Sequence, residues 1–143
     1  MSQDYKSHRR FVPFFHFFLF GLILVTTIGS LNNLFRSFDN EDRLYNAALL
    51  VAICVILIFL FFFTRIFSLK AQNRAIRAEE NFRHYVLTGK PLDNRLTIGQ
   101  IIALRFAPDE EFTTLAAKAA AEKMSPDAIK RAITNWKGDF HRV

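Results

Sequence analysis

Two long apolar runs dominate the first half of the chain, at residues 11–35 and 44–64, and neither contains an Asp, Glu, Lys or Arg. The hydrocarbon core of a bilayer is about 30 Å thick, so a helix needs about 20 apolar residues to cross it. Both runs are long enough, and residues 36–43 between them form a short charged turn. The pattern therefore predicts a hairpin of two antiparallel transmembrane helices within residues 11–64.

Small residues indicate how these two helices pack against each other. On the second helix, Ala48 and Ala52 stand one turn apart and share a face. A pair of this kind allows two helix backbones to approach closely within a membrane. The expected counterpart on the first helix is the face formed by Leu22, Thr26, Gly29, Ser30 and Asn33. We therefore expect the closest contact of the hairpin at these positions.

A third helix is predicted over residues 65–90, directly after the second apolar run. No Gly or Pro interrupts residues 65–88, where good helix formers predominate. Gly89 and Pro91 then provide a stop signal, a left-handed cap followed by a residue that cannot continue a helix. We interpret this segment as a juxtamembrane helix that leaves the membrane and carries the rest of the chain.

Residues 91–143 have the pattern of a small domain of three short helices. The expected helix starts are Thr97, Pro108 with the three acids that follow it, and Ser125 with Pro126. Apolar residues at helical spacing extend the third helix through Trp136 and Phe140. No strand-type alternation is evident, so the predicted fold class is all-α. A domain of about 50 residues is marginal alone, and we expect it to pack against the juxtamembrane helix or the membrane.

Charge is distributed unevenly around the apolar runs of this 143-residue chain, whose formal net charge is +6. Basic residues exceed acids in residues 1–10 and again after the second run, whereas the turn at 36–43 is slightly acidic. Because positively charged segments remain in the cytoplasm, both termini are predicted to be cytoplasmic and the turn to lie outside. A nucleic-acid partner is not expected, since acids are mixed among the basic residues and no recognition motif is present.

The predicted juxtamembrane helix offers the candidate interaction surface. Its basic face is formed by Lys70, Arg74 and Arg77, and a narrow apolar seam is expected on the opposite side. The seam consists of Ala71, Ala75, Ala78 and Phe82, at a spacing that suits close helix–helix packing. Several uses remain open: an intramolecular contact with a solvated basic face, a seam for a second copy or another protein, and attachment of the basic face to anionic lipid headgroups.

No catalytic or ligand-binding motif accompanies these features. The sequence lacks a phosphate-binding loop, a dinucleotide-binding glycine motif and a zinc-protease motif. Cys54 is the only cysteine and lies within an apolar run, which excludes an intrachain disulfide and a zinc cluster of cysteines. We therefore expect no catalytic residue, no metal site and no cofactor, and we do not expect the protein to be an enzyme.

Three stretches resemble an uncharacterised family of small bacterial membrane proteins with two spans. They are YKSHRRFVPFFH at residues 5–16, LKAQNRAIRAEENFRHYVLTGKPLDNRLTIGQIIALRFAPDEEF at residues 69–112, and the closing SPDAIKRAITNWKGDFHRV. The resemblance implies a membrane hairpin with a helical cytoplasmic domain, and thus a place in the bacterial inner membrane. It implies no established activity, although some members of the family carry a transport-permease label.

Together these observations favour a membrane-anchored interaction or accessory protein. Its hairpin is expected to hold a helical domain at the inner face of the cytoplasmic membrane, with the bilayer and a protein or second copy as partners. The alternative is a small integral subunit of a transport or permease complex. Two spans without ionisable groups at mid-membrane depth cannot form a transporter alone, so this alternative requires further subunits.

Overall fold

The computed structural model describes Tyr5 and residues 12–139, and it confirms the predicted all-α class. Helices make up 76% of the described residues, which contain no strand. The helical segments are a π-helical stretch at Phe14–Leu19 that continues into α1 (Phe20–Phe35), then α2 (Glu41–Thr88), α3 (Ile98–Leu104), α4 (Asp109–Ala121) and α5 (Pro126–Ala132). The described residues form two compact units. We call residues 12–68 the hairpin unit, and Tyr5 with residues 69–139 the helical unit.

In the hairpin unit, α1 and the first part of α2 run antiparallel. The ring of Phe15, just before α1, stacks on Phe61 of α2 with centroids 4.6 Å apart. Towards the other end of the pair, Ser30 Oγ lies 3.4 Å from Cys54 Sγ, and both residues are buried. Small side chains therefore bring the two helices together near the turn, and aromatic rings fill the space at the open end.

The contacting face of α2 differs from the predicted one. Ala48 and Ala52 are exposed, whereas Ala47 and Cys54 are buried. Of the face expected on α1, Ser30 is the buried member. Ala47 and Cys54 are two helical turns apart and so remain on one side of the helix. A shift of the contact by one residue along the sequence rotates the contacting face by about 100° around the helix axis. Ala48 and Ala52, although equally small, therefore lie outside the contact.

Two helices, of which the second extends from the hairpin unit into the helical unit, are long and apolar enough to cross a membrane. They are Phe14–Phe35, with 22 residues, and Glu41–Thr88, with 48 residues. Only 11% of the most apolar window of each helix is buried within the protein. Their apolar side chains therefore remain largely exposed, which distinguishes both helices from the central helix of a globular core.

The helical unit has one hydrophobic core, to which α3, α4 and α5 contribute. Its largest fully buried side chains are Phe106, Phe112, Leu104 and Ile129. Gly99 permits close approach of α3 to the start of α5, because a Cβ at this position would stand 3.2 Å from a side-chain carbon of Pro126. Burial of these apolar side chains in a shared core stabilises the short helices.

The starts of the short helices agree with the sequence signals. The N-caps are Thr97, Pro108 and Ser125. Thr97 and Gln100 form a capping box, in which the Thr97 N–H donates to Gln100 Oε1 at 2.7 Å. Gln100 Nε2 also donates to the Met124 carbonyl at 2.8 Å. One buried glutamine thereby starts α3 and fixes the connection between α4 and α5.

The second apolar run and the predicted juxtamembrane helix form a single continuous helix, α2. Gly89 ends it as predicted, with a positive φ of 70°. The Gly89 N–H still donates to the Tyr85 carbonyl at 2.8 Å, closing the last turn. A residue with a Cβ would be strained in this conformation, so the glycine determines where α2 stops.

The third short helix is shorter than predicted, because α5 ends at Ala132. The carboxylate of Glu111 accepts hydrogen bonds from the Thr134 and Asn135 backbone N–H groups, each at 2.9 Å. These contacts replace the intrahelical bonds that an extended α5 would make. Trp136 consequently lies beyond the helix and packs on Phe106, with ring centroids 4.9 Å apart. Phe140 lies outside the described residues.

We expect Phe112→Ala to destabilise the helical unit by about 3–5 kcal/mol, because it removes a fully buried ring from the core. Phe82→Ala makes the same chemical change at a side chain that is 68% exposed, and it should alter stability by less than about 0.5 kcal/mol. Fluorescence of Trp136, the only tryptophan, during denaturant titration measures both. Equal midpoints for the two variants would contradict the assigned core.

Candidate interaction surface

The last part of α2 presents three faces, spaced roughly evenly around the helix at 3.6 residues per turn. We call the first the packing face; it carries the buried Ile76 and Glu80 together with Arg83. The other two are the predicted basic face, Lys70, Arg74 and Arg77, and the predicted seam, Ala71, Ala75, Ala78 and Phe82. The seam thus lies about a third of a turn from both the packing face and the basic face, and not opposite the basic face as expected.

Arg83 connects the packing face of α2 to the start of α4. Its Nε donates to Asp109 Oδ1 at 2.7 Å, and its Nη2 donates to the Ala107 carbonyl at 2.8 Å. Its Nη1 donates to Glu80 Oε2 at 3.1 Å. The guanidinium carbon also lies 4.3 Å from the centre of the Phe112 ring. One side chain therefore contacts α2, α4, the segment between α3 and α4, and the core.

The carboxyl group of Glu80 is the buried acid of this arrangement. Burial raises its pKa above the ordinary value, and this effect exceeds the opposing attraction of Arg83. The sequence instead suggests pairs between Glu79 and Arg83 and between Glu80 and His84. In the structure, Glu80 pairs with Arg83, while His84 Nδ1 lies 2.7 Å from the Lys90 carbonyl oxygen.

The seam is exposed along its whole length. Ala71, Ala75 and Ala78 are accessible, and Phe82 is 68% exposed. The intramolecular use of the seam is therefore wrong, since the core of the helical unit contacts the packing face instead. Two further apolar side chains one turn later, Tyr85 and Val86, are 55% and 66% exposed, which extends the seam into a continuous apolar strip.

The basic face is also exposed, and two of its members line a groove. Arg74 and Arg77 lie on one wall together with Ala78 and Asn81, and the opposite wall is the segment at residues 92–96. The groove has a volume of about 400 Å³. Lys70 does not line it, so the structure brings together two of the three predicted basic residues around one concave surface.

The walls of this groove are connected by hydrogen bonds. The Leu92 N–H donates to Asn81 Oδ1 at 2.9 Å, which fixes the segment at 92–96 against α2. Within that segment, Arg95 Nη2 lies 2.6 Å from Asp93 Oδ2. Hydrogen bonds from Arg95 lower the pKa of Asp93 to about 2. The acid that lines the groove is therefore ionised at neutral pH and already paired.

The sequence indicated Arg74, Arg77 and Asn81 as neighbours on one face, but not the groove itself. Its other wall, with Asp93 and Asn94, was not among the candidate residues. Asp and Asn at adjacent positions after a helix stop are a turn signal, and this signal could have placed the segment beside α2. It could not have identified which face of α2 the turn would contact.

The described residues contain no group of three or more His, Cys, Asp or Glu side chains that could hold a metal ion. A family model described as a family of unknown function (DUF6526) matches residues 1–143, the whole chain. This confirms the expectation of an uncharacterised family. No curated protein and no solved structure matches the chain. Function must therefore be inferred from the surface described above.

We expect Arg83→Met to destabilise the helical unit by about 3 kcal/mol, because it leaves the buried Glu80 and the start of α4 without their shared donor. The matched control is Arg74→Met, an identical change at an exposed position of the same helix, expected within about 0.5 kcal/mol of wild type. Adding Glu80→Gln to Arg83→Met should recover part of the loss, since no unpaired charge is then buried. Denaturant titration followed by Trp136 fluorescence tests this; an unchanged midpoint for Arg83→Met would contradict it.

Proposed function

The chain belongs to the DUF6526 family, a family of unknown function, and we propose that it is a membrane-anchored interaction protein. In this proposal the hairpin unit spans a bacterial inner membrane and the helical unit lies in the cytoplasm. The seam of α2 binds an apolar helix of a partner. The single observation that carries the proposal is the apolar strip on α2, which the helical unit leaves exposed on the side away from its core.

Exposed apolar side chains support the membrane location. Both helices of the hairpin unit present large apolar residues on most of their surface, with 11% of the most apolar window buried. In water, exposed apolar surface is unfavourable by about 25 cal/mol per Å², whereas lipid tails solvate it. The basic residues after the second apolar helix and the acidic turn at 36–43 support the orientation with the turn outside.

Tyr5 provides independent support for an even number of membrane crossings. It precedes the first apolar helix, yet its hydroxyl accepts a hydrogen bond from Arg131 Nη2 at 3.1 Å and donates one to Asp127. The Arg131 guanidinium also lies over its ring at 5.3 Å. Since α5 follows both apolar helices, this contact supports a topology in which residues before and after the hairpin lie on the same side of the membrane.

The spacing of the seam supports a helix as the partner. Ala71, Ala75, Ala78 and Phe82 recur every three or four residues, and this spacing lines up a straight strip on a helix. Alanine side chains allow a second helix to come close, and the exposed Phe82 ring gives that helix a large apolar contact. A strip of this form is suited to one helix. An extended peptide typically binds by pairing with the edge of a sheet, and α2 offers no such edge.

The topology can be tested with alkaline phosphatase fusions, since this enzyme is active only outside the cytoplasm. A fusion inserted within residues 37–42 should be active, and a fusion after Val143 should be inactive. Equal expression of both fusions, measured on an immunoblot, is the control. Activity of the C-terminal fusion would contradict the proposed orientation, and activity of neither would contradict the hairpin.

The seam can be tested with a photoreactive residue at Ala75 in intact membranes, with Ala117, an exposed alanine of α4, as the matched control. We expect an adduct of one defined mass from Ala75 and none from Ala117, and Phe82→Glu should abolish it by placing a charge in the apolar contact. An adduct of twice the chain mass identifies the partner as a second copy. A transporter subunit in the adduct would favour the permease-complex alternative. Absence of any intermolecular adduct would contradict the proposal.

A further inference from the structure

We propose that the groove lined by Arg74 and Arg77 binds a phosphate group, carried either by a small soluble ester or by a lipid headgroup. This site shares Ala78 with the seam proposed above to bind a helix. It differs from the seam because it is concave and its charged residues belong to the basic face. The inference does not depend on the identity of the seam partner.

Most arginines of the helical unit are paired with carboxylates. Residues 69–139 contain six arginines. Four have carboxylate partners within 4 Å: Arg83 with Glu80 and Asp109, Arg95 with Asp93, Arg105 with Asp139, and Arg131 with Asp127. Among the described residues, Arg74 and Arg77 have no such partner, and these two line the same groove. The unpaired positive charge of the guanidinium groups is therefore concentrated at one place.

One acid, Asp93, lines the groove. Asp93 could in principle neutralise one of the two arginines. It is instead engaged by Arg95, whose Nε donates to Asp93 Oδ1 at 3.0 Å and whose Nη2 donates to Asp93 Oδ2 at 2.6 Å. The backbone N–H of Arg95 donates to the same carboxylate at 2.9 Å. With the charges of Asp93 and Arg95 cancelling, the groove retains the two positive charges of Arg74 and Arg77.

Hydrogen bonds and buried apolar residues determine the shape of the groove. Asn81 Oδ1 accepts the Leu92 N–H, and the Leu96 N–H donates to the Asp93 carbonyl at 3.1 Å. Leu96 and Ile101 line the groove and are buried, with 6% and 3% exposure. These contacts hold both walls in place before any ligand arrives. A site built in advance loses less entropy when it binds than one that must first become ordered.

Two neighbouring guanidinium groups are suited to bind a phosphate group. A guanidinium presents a planar fork of donors that matches phosphate oxygens in pairs. Arg74 and Arg77 are three residues apart on a helix, close enough to contact one group together. The volume of about 400 Å³ lies at the small end of the range for small-molecule sites, roughly 300–1,000 Å³. Ala78 and Ile101 add apolar contacts for the group that carries the phosphate.

The test uses the full-length chain in maltoside micelles, which contain no phosphate. Titration calorimetry is performed with glycerol phosphate in one arm and with phosphatidic acid added to the micelles in the other. The variant is Arg74→Gln with Arg77→Gln. The control is Lys118→Gln with Lys123→Gln, which removes the same charge from exposed positions around the end of α4. Trp136 emission verifies that each variant retains the fold of the helical unit.

We expect wild type to bind in at least one arm, the arginine variant to bind at least tenfold more weakly, and the lysine control to remain within twofold of wild type. Binding of glycerol phosphate identifies a soluble ester as sufficient, whereas binding of phosphatidic acid alone identifies the headgroup. The proposal is wrong if neither probe binds, if the arginine variant binds like wild type, or if the lysine control loses affinity equally. The last result would indicate attraction to net charge without a site.

Discussion

The arrangement of the helical unit depends on the ion pairs and hydrogen bonds of Arg83. A guanidinium that is partly removed from water needs several acceptors to offset its desolvation, and Glu80, Asp109 and the Ala107 carbonyl supply them. Because these acceptors lie on different segments, they define the rotation of α2 about its own axis. That rotation decides which third of α2 faces the core, and consequently which side chains form the seam and the groove.

Local signals made much of this fold predictable. Helix starts at Thr97 and Ser125 and the stop at Gly89 require only a few neighbouring residues. The end of α5 was not predictable, because Glu111, more than twenty residues earlier in the chain, binds the backbone after Ala132. The buried face of α2 was missed for a related reason. Apolar periodicity pointed to the alanines, whereas tertiary partners for two charged residues determined the packing.

The candidate surface combines residues that sequence reasoning found with residues that it could not. Arg74 and Arg77 follow from helical periodicity alone, and so does the seam. The groove requires the segment at 92–96 to fold back on α2, and it requires Arg95 to occupy Asp93. Charge counting along the sequence treats all arginines alike. Only the paired geometry separates those that stabilise the fold from those that remain available to a ligand.

The contact of Tyr5 with α5 has a consequence for the order of events during synthesis. Tyr5 and Arg131 are separated by 126 positions, so Tyr5 is synthesised well before Arg131. The two apolar helices are translated entirely between them. Tyr5 therefore has no Arg131 to contact until the hairpin has been synthesised. Closing a loop of this length is slow compared with forming the local turns of the short helices, so the contact completes the helical unit and cannot initiate it.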